Sequence, residues 1–255
     1  MDIFWHGCLW VLGRLLLLLG LVLCLILAFV LVLVLMLVVG ALTSRMDVEY
    51  EEDSKYHRFL FRFVVPLLVV LGRIKVQVTG LEKVPSDRRF LYVSNHRSNY
   101  DPIIVLKVLS DRQMAFVSKE ANFRIPLVGA ILHRSCFLSI NREDPRKAIT
   151  TINRAAKLLA EGKFSIGVYP EGTRSKDCTL LPFHDGVLKI AQKAKVPVVV
   201  SIIRGTENIS RNFPFRSTTV YLDFIDCLEN VEKVRTAELG ATVRSAIENR
   251  LKAEK

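Results

Sequence analysis

The 255-residue chain has no C-x-x-C pair. Its five cysteines (Cys8, Cys24, Cys136, Cys178, Cys227) are scattered and odd in number. A zinc site and a disulfide framework are both disfavoured, which fits a reducing compartment. The chain also lacks a G-x-S-x-G elbow, a cysteine placed beside a histidine, an internal repeat and a recognised nucleic-acid motif. From Leu15 to Leu42 it lacks any charge. The overall composition, 51% apolar and 24% charged, excludes disorder, collagen and a small disulfide scaffold.

What is present is unevenly spread. Residues 9–42 are almost wholly apolar, broken once by Arg14. A secretory h-region runs about 7–15 apolar residues and ends at small ones. This stretch is far longer, and Gly40-Ala41 is a poor cleavage site, so a retained transmembrane helix is expected. Residues 1–45 carry a net charge of +1, residues 46–53 a net −5, and the remainder from Ser54 a net +15. Arg45, Lys55, Arg58 and Arg62 follow the apolar run while only Arg14 lies near its other end, so the body is expected on the cytoplasmic face. A body this basic suits an anionic partner: a membrane face, a phosphorylated substrate or a nucleic acid.

After the acidic cluster Asp47, Glu49, Glu51, Glu52 and Asp53 comes a second apolar stretch, Phe59 to Gly72, holding Arg62 and Pro66. It is too short to span a bilayer. Two readings stay open, a helix lying among lipid headgroups and a first core helix of the body. His6, His57 and His133 read as surface or interfacial, and Trp5 and Trp10 as interfacial aromatics beside the anchor.

The body alternates short apolar strands with helices. Strands are expected at Ile74–Gly80, Phe90–Ser94, Met114–Ser118, Cys136–Ile140, Phe164–Tyr169, Pro197–Ile203 and Val220–Ile225. Helices are expected from Asp101 to Leu109, Ile125 to Leu132, Asp144 to Glu161, Pro182 to Lys195 and from about Val231. The pattern predicts an α/β fold: a mostly parallel sheet with helices on both faces, preceded by an N-terminal transmembrane helix.

In such sheets ligands bind beyond the carboxyl ends of strands. Three of those ends carry polar clusters: Asn95 to Asp101, Asn141-Arg142, and Pro170 to Ser175. His96 follows a strand and Asp101 begins a helix, so a loop can bring carboxylate to imidazole and make a general base. A base without a protein nucleophile suggests attack by a substrate hydroxyl. Arg142 and Arg174 offer forked donors suited to phosphate, Gly172 permits close backbone approach, and Glu171 can orient the arginines or a substrate hydroxyl. His184 falls at the expected start of a helix facing the site mouth. Cys178 has no activating partner and reads as a plain thiol.

Asn95-His96-x4-Asp101, Phe137-x-x-Ile140-x-Arg142, Glu171-Gly172-Thr173-Arg174-Ser175 and Val196-Pro197-Val198-Val199 occur in that order. Their spacing resembles the glycerolipid acyltransferase family, whose best-known members are 1-acyl-glycerol-3-phosphate acyltransferases; the resemblance covers roughly Val78 to Ile203. It implies transfer of a fatty acyl chain from a thioester, acyl-CoA or acyl carrier protein, to the sn-2 hydroxyl of lysophosphatidate, giving phosphatidate. It makes His96 the base and Asp101 its partner. Lys119, Arg142, Glu171, Gly172, Thr173 and Arg174 become the substrate-binding set. No metal and no bound organic cofactor is implied, and no nucleic-acid partner. The enzyme is expected to be integral to the cell membrane. The chain then divides into an anchor (1–45), an acidic linker with an interfacial apolar helix (46–73) and an acyltransferase domain (74–255). Two departures from the family pattern, Arg134-Ser135-Cys136 before Phe137 without a glycine and Val200 in place of a second proline, bear on the acceptor rather than on the reaction. Glycerol 3-phosphate or another lysolipid is the alternative acceptor. A membrane thioesterase would need no phosphate site, and a basic lipid- or nucleic-acid-binding module would need no His–Asp pair.

Overall fold

The computed structural model describes residues 2–52, 54–175 and 177–253, with residues 2–9 described by their backbone alone. Asp53 and the side chains of Trp5, His6 and Cys8 lie outside the described residues. The chain begins with the long helix α1 (Asp2–Leu42), then α2 (Lys55–Leu71). The sheet strands are β1 (Ile74–Thr79), β2 (Leu91–Ser94), β3 (Met114–Lys119), β4 (Leu138–Ile140), β5 (Ser165–Val168), β6 (Val198–Arg204) and β7 (Thr218–Leu228). Between and after them lie α3 (Asp101–Val108), α4 (Glu120–Phe123), α5 (Val128–Arg134), α6 (Pro145–Ala160), α7 (Lys189–Ala194), α8 (Ile209–Asn212) and α9 (Thr236–Ala253).

One sheet holds all seven strands in the order β1-β7-β6-β2-β5-β3-β4. From β6 to β4 neighbours run parallel, and β7 turns antiparallel to β6 while pairing parallel with β1. Strands covered on both faces need apolar side chains on both, and Leu91, Tyr92, Val93, Val198, Val199 and Val200 are all fully buried. Helix α2 lies against α3, and α6 against α7; with this strand order the right-handed crossover rule assigns α3 to one face and α6 and α7 to the other. The expected α/β class and mostly parallel sheet are therefore found. Central strands β2 and β5 lie side by side, yet β2 continues toward β3 and β5 toward β6. Their carboxyl ends form the crevice where exits diverge.

Several boundaries differ from the sequence reading. The helix expected over Pro182–Lys195 is a 3₁₀ turn at Asp185–Leu188 followed by α7. Its first residues are committed elsewhere, because the amides of Leu181 and His184 bond to Glu171 and Pro170. The helix expected from Ile125 starts at Val128, after Pro126 and a left-handed Leu127 (φ +61°). The final strand is longer, Thr218–Leu228, and the final helix opens at Thr236 rather than near Val231.

Helix α1 has no protein around most of its length. From Trp10 to Val32 every position but Gly13 is exposed, an apolar cylinder of about 35 Å, close to a bilayer's hydrocarbon thickness. It is the one helix among the described residues long and apolar enough to cross a membrane (Trp10–Leu42). Burial begins at its end, where Gly40 meets α2: Leu60 Cδ1 would lie 2.8 Å from a Cβ at Gly40. His57 is 2% exposed, against the expectation of a surface or interfacial histidine; its Nε2 lies 2.8 Å from the Gly40 carbonyl and 3.1 Å from Ser44 Oγ. Helix α2 buries Val65 and Val69 in the core of the domain and Leu60 against Gly40 of α1, as the core-helix reading expects, while Phe59, Phe63 and Val70 on it are exposed.

Helix α6 starts on Asp144, whose Oδ1 accepts from the amides of Arg146 (2.9 Å) and Lys147 (3.2 Å), with Pro145 in the first turn. Asp144→Ala should destabilise the folded domain by about 1 kcal/mol, seen as a melting temperature roughly 2–4 °C lower; an unchanged melting temperature would show the cap to be redundant.

Candidate active site

The crevice between β2 and β5 holds the His–Asp pair. His96 Nδ1 lies 2.8 Å from Asp101 Oδ2, and that carboxylate is wholly buried. The same oxygen accepts from the amides of Arg97 (2.7 Å) and Ser98 (2.8 Å), and Oδ1 accepts from Thr206 Oγ1 at 2.5 Å. With Nδ1–H donated to Asp101, the Nε2 lone pair is left as the basic site. Among the described residues no serine or cysteine side chain bonds to His96.

Behind the imidazole stands an aromatic stack. The Tyr169 ring lies on His96 with centroids 4.3 Å apart and planes 16° apart, and Phe116 lies on Tyr169 at 5.8 Å and 10°. Gly167 makes room for it: a Cβ there would sit 2.2 Å from Phe116 Cε1. Burial holds the Tyr169 phenol well above its ordinary range, so the ring presents a neutral face to the imidazole.

His96 opens onto a cavity of about 480 Å³. One part of its wall is apolar, with Leu37 from α1, Phe61, Val64 and Leu68 from α2, and Ile103 and Leu106 from α3. The other carries Lys119, Arg142, Gly172, Thr173 and Arg174. Thus six of the eight site residues singled out in the sequence line one cavity, and Asp101 stands directly behind His96. None of the three cations has a partner among the described residues. Gly172 adopts φ +71°, and a Cβ on it would lie 2.9 Å from His184 Cδ2 and 3.7 Å from Arg142 Cζ. Desolvation draws the Arg142 guanidinium down from its ordinary value, and it stays a cation at neutral pH. His184 is exposed at the rim.

Glu171 stands behind the wall rather than in it. It is 3% exposed, its Oε1 accepts from the His96 amide (2.7 Å), and its Oε2 from the Leu181 amide (2.8 Å). Burial pushes its carboxyl up, against the two amide bonds that pull it down. The geometry makes it a clasp between the loops after β2 and β5. Asn95 is likewise committed: its side chain bonds both the amide (2.8 Å) and the carbonyl (3.0 Å) of Ile203, which removes it as a donor to a ligand. Burial also raises the Cys178 thiol, in keeping with an inert role.

Sequence reading missed Thr206, Tyr169 and the apolar wall. Thr206 is far along the chain from Asp101, beyond β6, and only the pairing of β6 with β2 brings it near.

The fold and site define an α/β protein with an Asp-held imidazole at the switch point of a mostly parallel sheet and, among the described residues, no side-chain nucleophile bonded to it. A family model described as Acyltransferase matches residues 75–204, half of the chain, and the chain belongs to this family. It is similar to the chloroplastic 1-acyl-sn-glycerol-3-phosphate acyltransferase BAT2 of Brassica napus, 35% identical over 160 residues, 61% of this chain and 46% of that protein. It is similar to a 1-acyl-sn-glycerol-3-phosphate acyltransferase of Borreliella burgdorferi, 28% identical over 201 residues, 77% and 79% of the two chains. The crystal structure of the 1-acyl-sn-glycerophosphate (LPA) acyltransferase PlsC from Thermotoga maritima superposes with a TM-score of 0.62 at 26% identity, covering 78% of this chain and 81% of that one. The chain spans about half the length of the first curated relatives it matches.

Thr206→Val keeps the side chain's shape and removes the donor to a buried carboxylate. The variant should lose about 1.5–3 kcal/mol of stability, whereas Thr206→Ser should stay near the parent. Chemical unfolding of the three proteins checks this, and equal losses in both variants would assign the effect to packing.

Proposed function

We propose that this protein moves a fatty acyl chain from a thioester donor, acyl-CoA or acyl carrier protein, to the sn-2 hydroxyl of 1-acyl-glycerol 3-phosphate, giving phosphatidate. The observation that carries this reading is the divided cavity: His96 stands where an apolar wall meets three cations without carboxylate partners. A lysophospholipid acceptor has that same division, with a phosphate beside its free hydroxyl and a chain beyond.

His96 Nε2 takes the proton of the acceptor hydroxyl as its oxygen attacks the thioester carbonyl. Asp101 stabilises the imidazolium that forms. When the tetrahedral intermediate collapses the C–S bond breaks, and the leaving thiolate takes the proton back from Nε2. Lys119, Arg142 and Arg174 hold the acceptor phosphate, with Gly172 and Thr173 giving backbone access. Glu171 serves that site indirectly, by clasping the two loops.

In this reading residues 1–45 anchor the chain in the membrane as an integral span, 46–73 form the linker and an interfacial helix, and 74–255 carry the chemistry on the cytoplasmic face. The exposure of α1 and the excess of Lys and Arg after it support that arrangement. The relatives' names supply the acceptor.

The test is thioester-dependent acylation of lysophosphatidate by the purified protein. His96→Ala should lower kcat roughly 10²–10⁴-fold. Arg174→Ala should act mainly on KM for the phosphorylated acceptor. Activity surviving in His96→Ala would remove the base, and acceptor kinetics unchanged in Arg174→Ala would remove that residue from the phosphate site. Turnover of glycerol 3-phosphate or another lysolipid, with none of lysophosphatidate, would reassign the acceptor.

A further inference from the structure

The tight loop between α8 and β7, Arg211-Asn212-Phe213-Pro214-Phe215-Arg216, plays no part in the site described above. Its two aromatics face solvent: Phe215 is 86% exposed and Phe213 52%. The loop is held in a defined shape. The Phe213 amide bonds to the Ile209 carbonyl (3.0 Å), the Arg216 amide to the Asn212 carbonyl (2.8 Å), and Asn212 Nδ2 to Thr218 Oγ1 (2.9 Å). It is also tied to the end of α2, since Arg73 Nη1 donates to the carbonyls of Pro214 and Phe215, each at 3.3 Å. There it adjoins Val70 and Leu71, 68% and 59% exposed, at the C-terminal end of the amphipathic helix.

The two chain segments that form this apolar surface carry charge of one sign. Residues 54–81 hold five basic side chains and no acidic one, and residues 208–222 hold Arg211 and Arg216 and no acidic one. Aromatic rings held proud of the fold on a fixed turn, flanked by exposed arginines, suit the zone where acyl chains meet anionic headgroups. A protein partner of matching charge would instead need a complementary acidic surface. Continuity with α2 favours the bilayer, because the loop extends that helix's exposed apolar end.

We propose that the Phe213–Phe215 loop is a further membrane contact beside α1 and α2, inserting its rings into an anionic leaflet while Arg211 and Arg216 bind headgroups. With those two helices it sets the tilt of the sheet domain against the bilayer. The proposal rests on the reading of α1 as a membrane anchor.

The experiment uses the full chain reconstituted in vesicles of phosphatidylcholine and phosphatidylglycerol with brominated acyl chains. The chain's two tryptophans, Trp5 and Trp10, both lie in α1. Phe215→Trp in a Trp5→Phe/Trp10→Phe background should lose most of its emission to the brominated chains. Ile149→Trp, exposed on α6 across the sheet, should keep its emission in the same background. Adding Arg211→Gln and Arg216→Gln should restore part of the Phe215→Trp emission, and no restoration would overturn the headgroup role. Trp10 alone, in Trp5→Phe, reports the anchor. Quenching of Trp10 without quenching at position 215 would overturn this proposal and leave the anchor reading intact, which is also the result expected if the loop docks a protein. Quenching at neither position would overturn both.

Discussion

The buried carboxylate of Asp101 is the constraint on which the rest of the site depends. A carboxylate removed from water is costly unless donors replace its hydration. Here four do so: two successive loop amides, the imidazole, and the Thr206 hydroxyl. Three come from the loop after β2 and the fourth from beyond β6. The amides fix the turn after β2, the residue itself begins α3, and Thr206 brings in the exit of β6. Satisfying one charge therefore requires β2, α3 and β6 to be in register. Asn95 reinforces this from the next position, pairing with Ile203 through both its oxygen and its nitrogen.

A second buried carboxylate lies a short way off with a different balance. Glu171 has two amide donors, one of them from His96, and burial pushes its carboxyl up. A folded-state value above the unfolded one means that Glu171 binds its proton more tightly in the fold. Its contribution is fully present below the ordinary glutamate value and declines as pH rises through the raised one. The clasp is thus held in place against an electrostatic cost, and the two amides that it satisfies are its return. That cost makes sense only if the two loops must be held together, since the cavity cations stand at the end of β3 and on the loops after β4 and β5 while His96 stands on the loop after β2.

How much was legible from the sequence follows from where each contact gets its partner. His96 and Asp101 are five residues apart and meet through a local turn, so H-x4-D could be read directly. Arg142, Gly172 and Arg174 each follow an apolar run at the carboxyl end of a strand, and the rule for strand carboxyl ends brought them together. Thr206 and Tyr169 could not be found that way. One depends on β6 lying beside β2, and the other on a stack that exists because Gly167 leaves space for Phe116 on a neighbouring strand. The missed helix start at Pro182 has the same origin, because the Leu181 and His184 amides tie this segment to Glu171 and to the Pro170 carbonyl. His57 read as a surface or interfacial residue because its partner, the Gly40 carbonyl, belongs to α1, which hydropathy treats as a separate object.

That last point bears on how anchor and domain are joined. The acidic segment does meet the domain through charge, with Glu49 on Arg154, Glu51 on Lys157 and the Glu52 carbonyl on Arg134. These groups are largely exposed, and exposed pairs are screened and contribute little. The buried contacts are more decisive: His57 against Gly40, Tyr56 bonded to the Met36 carbonyl at 2.7 Å, and Leu60 packed where any side chain at Gly40 would collide. One turn before Gly40 stands Leu37, which lines the cavity itself. The C-terminal end of α1 is therefore part of the cavity wall. A displacement of α1 relative to α2 reshapes the apolar side of the site without touching His96, so the setting of α1 and the shape of that wall become a single packing problem.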